Sequence, residues 1–409
     1  MNKTSYPKEK MKVLLLEGVH PTALKIFEES GYYNLVSLSG ALSEEELLKE
    51  IEDVHILGIR SKTQVSEKII EKAKKLLAIG CFCIGTNQVY MVGATSAGIA
   101  VFNSPFSNTR SVAELVIGEA IMLMRRIAEK NAAAHRGIWM KDSANCYEVR
   151  GKTLGIIGYG HIGSQVSVLA EAMGLKVIYF DVDSKLPLGN ASPSKNLETL
   201  LAQSDIITLH VPGTPATKNM INEETLSMMK SGSILINLSR GDVIDSLAVK
   251  KALDEKKLGG LAVDVFTHEP ASKNEIFHSP FQNLDNVILS PHVGGSTMEA
   301  QENIGIDVSN KLISFTETGS SVGSLSVPAL SLSVQQNTSR MLHIHKNLPG
   351  VLSEINSILS KHNVNISAQY LQTNQAIGYV VFDVDKETSP KVLEELKDVK
   401  HTIRVRSVF

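Results

Sequence analysis

Residues 155–163 read Gly-Ile-Ile-Gly-Tyr-Gly-His-Ile-Gly, an apolar run that leads into glycines at positions 158, 160 and 163. A second apolar run, residues 176–180, follows and ends at Asp181. A unit of strand, glycine turn, helix and strand binds a dinucleotide, because the glycines allow a tight turn and a close approach of the backbone to a pyrophosphate, whose charge the helix N-terminus attracts. Gly158, Gly160 and Gly163 are therefore predicted to hold the pyrophosphate of a dinucleotide cofactor.

Asp181 distinguishes between the two nicotinamide dinucleotides. A carboxylate at the end of this strand accepts a hydrogen bond from a ribose 2'-hydroxyl and repels a 2'-phosphate. No arginine occurs in residues 181–185, which read Asp-Val-Asp-Ser-Lys. The sequence therefore favours NAD over NADP.

The bulk composition is that of a soluble globular protein. With 409 residues the chain exceeds what one hydrophobic core normally serves, so two or three domains are expected. A formal net charge of -2 gives no reason to expect nucleic acid or an anionic membrane as a partner. The sequence has neither an apolar run of about 18 residues nor a signal-peptide core, so we predict a cytoplasmic protein. The 3 cysteines lack the C-x2-C pairs of a zinc site, and no metal is predicted.

The remaining pattern divides the chain. About 105 residues of α/β character precede a long helix, which residues 111–114 (Ser-Val-Ala-Glu) are predicted to open with a capping box. Strands and helices then alternate as in a parallel doubly wound sheet. We expect the chain to return to its first unit after the sheet. This gives a discontinuous substrate-binding domain (1–106 and 297–330) around a Rossmann domain (107–296).

The last part of the chain is predicted to be a separate module. Residues 316–337 are rich in serine and glycine with little periodicity, which indicates a linker. Residues 338–409 then show the order βαββαβ, which is typical of a ferredoxin-like domain.

Three polar segments follow strands of the predicted doubly wound sheet, at the edge where ligands bind. They carry Arg240, Glu269 and His292. Oxidation of a secondary alcohol by a nicotinamide needs a base for the hydroxyl proton, and a histidine held by a carboxylate suits that role. A guanidinium can bind a carboxylate bidentately, which would orient a 2-hydroxy acid. Each residue also has a structural explanation: a capping histidine, a solvated loop charge and a surface ion pair.

These segments resemble the signature of the D-isomer-specific 2-hydroxyacid dehydrogenases, whose catalytic residues are an arginine, a glutamate and a histidine. The resemblance covers roughly residues 10–315. Within that family the whole chain resembles the bacterial members that act on D-3-phosphoglycerate, most closely over residues 80–89, 106–114 and 161–163. The last 70 or so residues resemble the ACT domain that such members carry after their catalytic part.

The resemblance implies a flavodoxin-like substrate-binding domain, the Rossmann domain and a C-terminal ACT domain. It implies that Arg240, Glu269 and His292 are catalytic. It further implies that NAD contacts a larger set: His161, Ile162, Asp181, Leu238, Ser239, Arg240, Asp264, His292, Val293, Gly294 and Gly295.

Substrate and effector sites are implied in the same way. The substrate phosphate would meet Arg60, Ser61 and Asn108, while Arg240 would bind the substrate carboxylate and His292 would accept the hydroxyl proton. Lys141 would reach the site of a neighbouring subunit. In the ACT domain, His345, Asn347 and Asn365 would bind serine, the feedback inhibitor of such enzymes.

The expected function is NAD-dependent oxidation of D-3-phosphoglycerate to 3-phosphohydroxypyruvate, the first step of L-serine biosynthesis, in a homo-oligomer that we expect to be a tetramer. Reduction of 2-oxoglutarate to 2-hydroxyglutarate is a possible side activity. Two alternatives stay open at this point. One is a reductase for another 2-oxo acid, such as hydroxypyruvate or glyoxylate, and the other is an NAD-sensing binding protein like the corepressors that share this fold.

Overall fold

The computed structural model describes residues 6–270, 275–333, 338–385 and 390–408. The chain forms two compact units, one of Met1–Ser107 with Gln301–Phe409 and one of Asn108–Ala300. The first unit therefore contains two stretches that are far apart in sequence.

The amino-terminal part of the first unit is a parallel sheet flanked by helices. Its strands lie in the order β2-β1-β3-β4-β5, which is the flavodoxin-like order. The strands are β1 (Lys12–Leu15), β2 (Leu35–Ser37), β3 (Val54–Ile59), β4 (Ala78–Cys81) and β5 (Ala100–Asn103). The helices are α1 (Pro21–Glu29), α2 (Glu44–Glu50), α3 (Glu67–Lys72) and α4 (Met91–Ser96). β4 and β5 are buried along their whole length, as expected for strands covered on both faces.

The second unit is a doubly wound sheet of seven parallel strands in the order β12-β11-β10-β9-β6-β7-β8. The strands are β6 (Thr153–Ile157), β7 (Lys176–Phe180), β8 (Ser192–Pro193), β9 (Ile206–Leu209), β10 (Ser233–Asn237), β11 (Leu258–Val263) and β12 (Val287–Leu289). The helices are α5 (Thr109–Met124), α6 (Ile127–His135), α7 (His161–Ala172), α8 (Leu197–Gln203), α9 (Glu223–Met228) and α10 (Ser246–Asp254). The strand order reverses between β6 and β9, where such sheets bind their ligands.

The capping box predicted for Ser111 and Glu114 is wrong. α5 begins at Thr109, after an N-cap Asn108 that makes no side-chain cap hydrogen bond. Ser111 therefore lies inside the helix, where its hydroxyl is hydrogen-bonded to that of Thr297 at 2.8 Å. Glu114 accepts instead from the Arg110 guanidinium at 2.6 Å, four residues earlier on the same face.

The carboxy-terminal part of the first unit is a four-stranded antiparallel sheet with the order β14-β15-β13-β16, the ferredoxin-like arrangement. α11 (Met298–Thr318) leads from the second unit into this part of the chain. The remaining elements are β13 (Ser339–Lys346), α12 (Val351–Lys361), β14 (Ile366–Thr373), β15 (Ile377–Val384), α13 (Pro390–Lys397) and β16 (Thr402–Ser407). The predicted fold class, with its flavodoxin-like, Rossmann and ferredoxin-like parts, is confirmed.

The linker prediction for residues 316–337 is wrong over its described length. Residues 316–318 belong to α11, and residues 324–326 bond the edge strand β5 of the first sheet and the residue before it. The Leu325 amide donates to the Val101 carbonyl at 2.8 Å. The Ser326 hydroxyl accepts from the Val101 amide at 2.9 Å and donates to the Ile99 carbonyl at 2.7 Å. The serines thus satisfy the open backbone groups of an edge strand. Residues 334–337 lie outside the described residues.

One face of the C-terminal sheet shares an apolar core with the first sheet. Leu342, Ile344 and Tyr379 belong to the same buried cluster as Phe102 and Phe315. None of the helices in the described residues is both long and apolar enough to cross a membrane.

Candidate active site

The glycine turn between β6 and α7 has the shape that a pyrophosphate requires. Gly158 has a φ of 92°, and a Cβ there would collide with the His210 carbonyl. A Cβ at Gly163 would collide with the Gly158 carbonyl, so α7 packs directly on the turn. Gly160 has open space where a Cβ would be, and α7 begins immediately after it. The exposed N-terminus of α7 therefore lies at the turn, where helix amides attract an anion.

Asp181 lies at the end of β7 beside this turn. Its carboxylate accepts from the Tyr159 amide at 2.7 Å and from the Asp183 amide at 2.9 Å. These two bonds fix the carboxylate next to the glycine motif, in the place where a ribose hydroxyl is bound in this fold.

Two tyrosines that the sequence analysis did not single out hold the chain after Asp181. The rings of Tyr159 and Tyr179 are stacked with centroids 3.8 Å apart. Tyr179 donates to the Lys185 carbonyl at 2.8 Å, and the Tyr159 hydroxyl accepts from the Leu188 amide at 3.2 Å. The signal was the aromatic residue inside the glycine motif, whose polar end needs a partner when the ring is buried.

His292 and Glu269 form the pair that the sequence predicted. The Nδ1 atom of His292 lies 2.8 Å from Oε2 of Glu269. The other carboxylate oxygen accepts from the Phe266 amide at 3.1 Å, which fixes the carboxylate. His292 has a φ of 55°, in the left-handed region that non-glycine residues rarely adopt. Such conformations concentrate at functional sites, where the surrounding structure enforces them.

The loop that carries His292 is anchored by Asp264. This buried carboxylate accepts from the Ser290 hydroxyl at 2.6 Å and from the amides of Val293 and Gly294, both at 2.8 Å. A Cβ at Gly294 would lie 2.9 Å from an Asp264 oxygen. Asp264 therefore acts on the position of His292 through the backbone.

Gly295, which ends this loop, packs against Asn108. A Cβ at Gly295 would collide with the Asn108 amide nitrogen. The Asn108 side chain is buried, and its amide oxygen has no hydrogen-bond partner in the structure as described. Asn108 is thus held beside the loop, with one polar atom left for a further partner.

Arg240 follows β10 on a turn next to the Glu269 loop. A Cβ at Gly241 would collide with the backbone of Phe266, so the two turns are in direct contact. The side-chain amide of Asn237 donates to the Arg240 carbonyl at 2.9 Å, and the Arg240 guanidinium donates to the Ser239 carbonyl at 2.7 Å. Leu238 and Ser239 are buried between β10 and this turn, each 7% exposed.

A pocket flanks the histidine–glutamate pair. Besides these two residues and Ser290, its lining is mainly apolar, with Phe266, Pro270, Phe277, Leu289 and Pro291. The two side chains of the pair remain open to solvent beside this wall, with 56% of His292 and 37% of Glu269 exposed.

The remaining predicted substrate residues lie in separate parts of the chain. Arg60 and Ser61 follow β3 in the first unit, and the Arg60 guanidinium makes no hydrogen bond or ion pair within the residues described. Lys141 lies in an extension after α6, beside Trp139, whose side chain is 84% exposed. The Lys130 ammonium holds this extension through the carbonyls of Met140 and Asp142, at 3.2 and 2.6 Å.

The three predicted effector residues lie at different ends of the C-terminal sheet. Asn347 donates to the Asn374 carbonyl at 2.8 Å, and Asn365 is hydrogen-bonded to the Asp385 carboxylate. His345 is buried, and desolvation lowers the pKa of its imidazole. Its Nδ1 atom lies 3.4 Å from that of His343. No hydrogen bond joins the three residues to one another in the described ranges.

Over the same ranges, no group of three or more His, Cys, Asp or Glu side chains is arranged to hold a metal ion. Cys81, Cys83 and Cys146 are free thiols. Burial raises the pKa of Cys81 and Cys83, so neither is an activated thiolate.

Comparisons with known proteins agree with this geometry. Residues 117–294 match the model of the D-isomer specific 2-hydroxyacid dehydrogenase, NAD binding domain, and residues 341–404 match the AHAS small subunit-like ACT domain. The chain is 51% identical over 408 residues to the D-3-phosphoglycerate dehydrogenase of Haemophilus influenzae, covering 100% of both chains. It is also 51% identical over 411 residues to the enzyme of that name from Escherichia coli K12, again covering 100% of both.

A solved structure with a similar fold is that of D-lactate dehydrogenase from Aquifex aeolicus complexed with NAD and lactic acid. It is 26% identical, with a TM-score of 0.64, and the match covers 78% of this chain and 100% of that one. The glycine turn, Asp181 and the His292–Glu269 pair all lie within the residues that match the NAD binding domain model. The chain therefore belongs to the D-isomer specific 2-hydroxyacid dehydrogenases and is an NAD-dependent oxidoreductase.

Proposed function

We propose that this enzyme oxidises D-3-phosphoglycerate to 3-phosphohydroxypyruvate, the first step of L-serine biosynthesis. The observation that carries the proposal is the His292–Glu269 pair, 2.8 Å apart on anchored loops. The substrate assignment is supported by relatives of the same length, 51% identical, that are called D-3-phosphoglycerate dehydrogenase.

The proton step follows from the geometry of the pair. When bound, NAD accepts the hydride from the carbon that carries the hydroxyl. Because Glu269 occupies Nδ1 of His292, Nε2 is the ring nitrogen left to take the hydroxyl proton. The carboxylate stabilises the imidazolium that results, and it favours the tautomer with the proton on Nδ1 before the reaction. Val293 and Gly294, bound by Asp264, keep the ring at its position.

Two arginines would bind the charged ends of the substrate. Arg240 is a bidentate partner for the carboxylate, which would turn the reacting carbon towards the cofactor. We propose Arg60, Ser61 and Asn108 for the phosphate, whose charge near -2 attracts a guanidinium. Lys141 of a neighbouring subunit would add a further cation. The proposed cofactor contacts are those implied by the sequence: the three glycines with His161, Ile162, Asp181, Leu238, Ser239, Arg240, Asp264, His292, Val293, Gly294 and Gly295.

We further propose that L-serine inhibits the enzyme by binding to the C-terminal domain at His345, Asn347 and Asn365. His345 and Asn347 lie at one end of the sheet and Asn365 at the other, so one serine would contact all three only where two copies of the domain meet. β14 and β16 are the edges of that sheet, and an open edge is a surface through which two copies can pair. A homotetramer would result if the exposed Trp139 extension formed a second contact between subunits. Free thiols suit a reducing compartment such as the cytoplasm. Boundaries of 1–106 with 297–330, 107–296 and 338–409 describe the three functional domains in this proposal, and 2-oxoglutarate reduction is a side activity.

One assay tests the assignment. The purified protein is given NAD and D-3-phosphoglycerate, with and without L-serine, and NADH formation is followed by absorbance. We expect NADH to form and serine to suppress it. Reduction of hydroxypyruvate or glyoxylate by NADH without any oxidation of D-3-phosphoglycerate would point to another 2-oxo acid reductase. NADH binding without turnover of either kind of substrate would point to a binding protein.

A further inference from the structure

Glu17 is a buried acid that the proposed chemistry does not use. It follows β1 with a φ of 64°, and Gly18 after it has a φ of 59°. Two successive left-handed residues turn the chain sharply, and the first of them carries a side chain, which is costly for the backbone. The turn is held because the amides of Glu17 and Gly18 donate to the carbonyls of Gly40 and Leu38, at 2.9 and 3.0 Å. The position of the Glu17 side chain, which this costly conformation fixes, therefore requires a structural or functional reason.

The Glu17 carboxylate binds the turn that carries Arg60. β1 and β3 are neighbouring parallel strands, so their carboxyl ends meet at one edge of the sheet. The carboxylate accepts from the amides of Arg60 at 3.1 Å, Lys62 at 3.0 Å and Thr63 at 2.8 Å. Burial acts to raise the pKa of Glu17, but the backbone donors outweigh it and hold that pKa below its usual value. The side chain is therefore ionised at neutral pH.

Gln88 holds the same turn from its other side. The Gln88 side chain is buried, and its amide donates to the Arg60 carbonyl at 2.6 Å and to the Gly85 carbonyl at 3.2 Å. The Gln88 carbonyl accepts from the Val65 amide at 2.8 Å. Both backbone groups of Arg60 are thus bound, the amide by Glu17 and the carbonyl by Gln88.

This arrangement decides how the turn can bind an anion. In many phosphate sites the backbone amides of a turn face the ligand. Here the amides at positions 60, 62 and 63 are already used by Glu17, which leaves the Ser61 amide and the side chains of the turn to bind an anion. The Arg60 guanidinium has no partner in the described part of the chain, whereas its backbone is fixed, so the side chain is both available and positioned.

We propose that Glu17 and Gln88 are positioning residues that hold residues 60–63 in the conformation in which Arg60 binds the phosphate of the substrate. The inference rests on the proposed function, because it takes the anion to be the substrate phosphate. It adds that the affinity for this phosphate depends on a buried carboxylate that does not touch the substrate.

The test compares Glu17→Gln with the unchanged full-length protein. The amide side chain keeps the shape but can accept at only one oxygen, so at least one of the three backbone bonds is lost. We expect KM for D-3-phosphoglycerate to rise about tenfold or more, with kcat changed less than about twofold and the NADH dissociation constant unchanged. Hydrogen exchange of a peptide containing residues 60–63 should accelerate. Gln88→Met removes the donor to Arg60. It should likewise raise KM for D-3-phosphoglycerate and accelerate the exchange of residues 60–63.

Glu46→Gln is the matched control, because Glu46 caps α2 in the same unit and its carboxylate accepts from the amide and hydroxyl of Ser43. It should leave KM and the exchange of residues 60–63 as they are. Unchanged KM and unchanged exchange in Glu17→Gln would overturn the inference. Equal losses in kcat, KM and NADH binding would also overturn it, since they indicate a general folding defect. If the unchanged protein formed no NADH from D-3-phosphoglycerate, the substrate assignment would fail, and the exchange experiment alone would decide whether Glu17 holds the turn.

Discussion

His292 is the residue on which the proposed chemistry depends most directly. Replacing it by glutamine keeps a polar side chain but removes the imidazole that would accept the hydroxyl proton, so we expect His292→Gln to lower kcat by about 10²–10⁴-fold. NADH binding, followed by fluorescence titration, should change little, because the glycine turn and Asp181 are untouched. His135→Gln, at the exposed end of α6, serves as a control. Full turnover in His292→Gln would exclude the histidine as the base.

Glu119 is a different kind of residue, an acid that the fold tolerates at a cost. It is 2% exposed in the middle of α5, and within the described ranges neither of its oxygens has a hydrogen-bond partner. Burial, with a smaller contribution from the charge of Asp264, raises its pKa to about 8. The folded protein therefore holds a proton that the unfolded chain releases above its ordinary pKa of about 4.3.

The sign of the pH dependence follows from this difference. Between about pH 4.3 and 8 the folded state binds more protons than the unfolded state, so the free energy of unfolding falls as pH rises. Glu119→Met removes the titrating carboxyl group and the free-energy cost of burying it. We expect it to raise the free energy of unfolding, by up to about 4 kcal/mol at pH 8 and by much less at pH 5. Urea unfolding at the two pH values measures the difference. An equal gain at both would show that the carboxyl does not titrate in this range.

The segment after α11 illustrates how an element can be misjudged from composition. Serine and glycine in residues 319–333 indicated a linker, yet Ser326 supplies both a donor and an acceptor to the backbone of β5 and its approach. We expect Ser326→Ala to lower the free energy of unfolding by about 1–3 kcal/mol, since the buried Val101 amide then loses its acceptor. Ser331→Ala, at an exposed position of the same segment, should have almost no effect. Equal urea midpoints for the two variants would contradict this role for Ser326.

The elements that the sequence predicted well were those with a strong apolar pattern. The order βαββαβ predicted for residues 338–409 matches the structure, because buried runs bounded by polar turns leave little choice. The proximity of His292 and Glu269 was predictable because both residues follow strands of one parallel sheet. The start of α5 and the role of residues 319–333 could not be predicted from the sequence. Each depends on a partner that is distant in sequence, which is Thr297 for α5 and Val101 for residues 319–333. The tethering of the Arg60 turn by Glu17, 43 residues earlier, was unpredictable for the same reason.

The whole first unit depends on a core that the two ends of the chain build together. Leu342 and Ile344 on β13 and Tyr379 on β15 are buried in one cluster with Phe315 of α11 and Phe102 of β5. The Tyr379 hydroxyl donates to the Gly319 carbonyl at 2.6 Å, and the Arg406 guanidinium donates to the Phe315 carbonyl at 2.7 Å. The ferredoxin-like sheet is therefore part of the folding unit and cannot be treated as a detachable appendage.

Removing the ferredoxin-like sheet should for that reason destabilise what is left of the first unit. A chain that ends at residue 333 would expose the apolar groups of Phe315 and its neighbours, each worth about 1.5–3 kcal/mol when buried. We expect a lower thermal midpoint, stronger binding of an apolar dye and a tendency to aggregate. NADH affinity provides the internal control, because the glycine turn and Asp181 belong to the second unit. If the shortened chain kept the full thermal midpoint and bound no dye, the shared core would contribute nothing to stability, and the C-terminal sheet would have to be regarded as an independent domain.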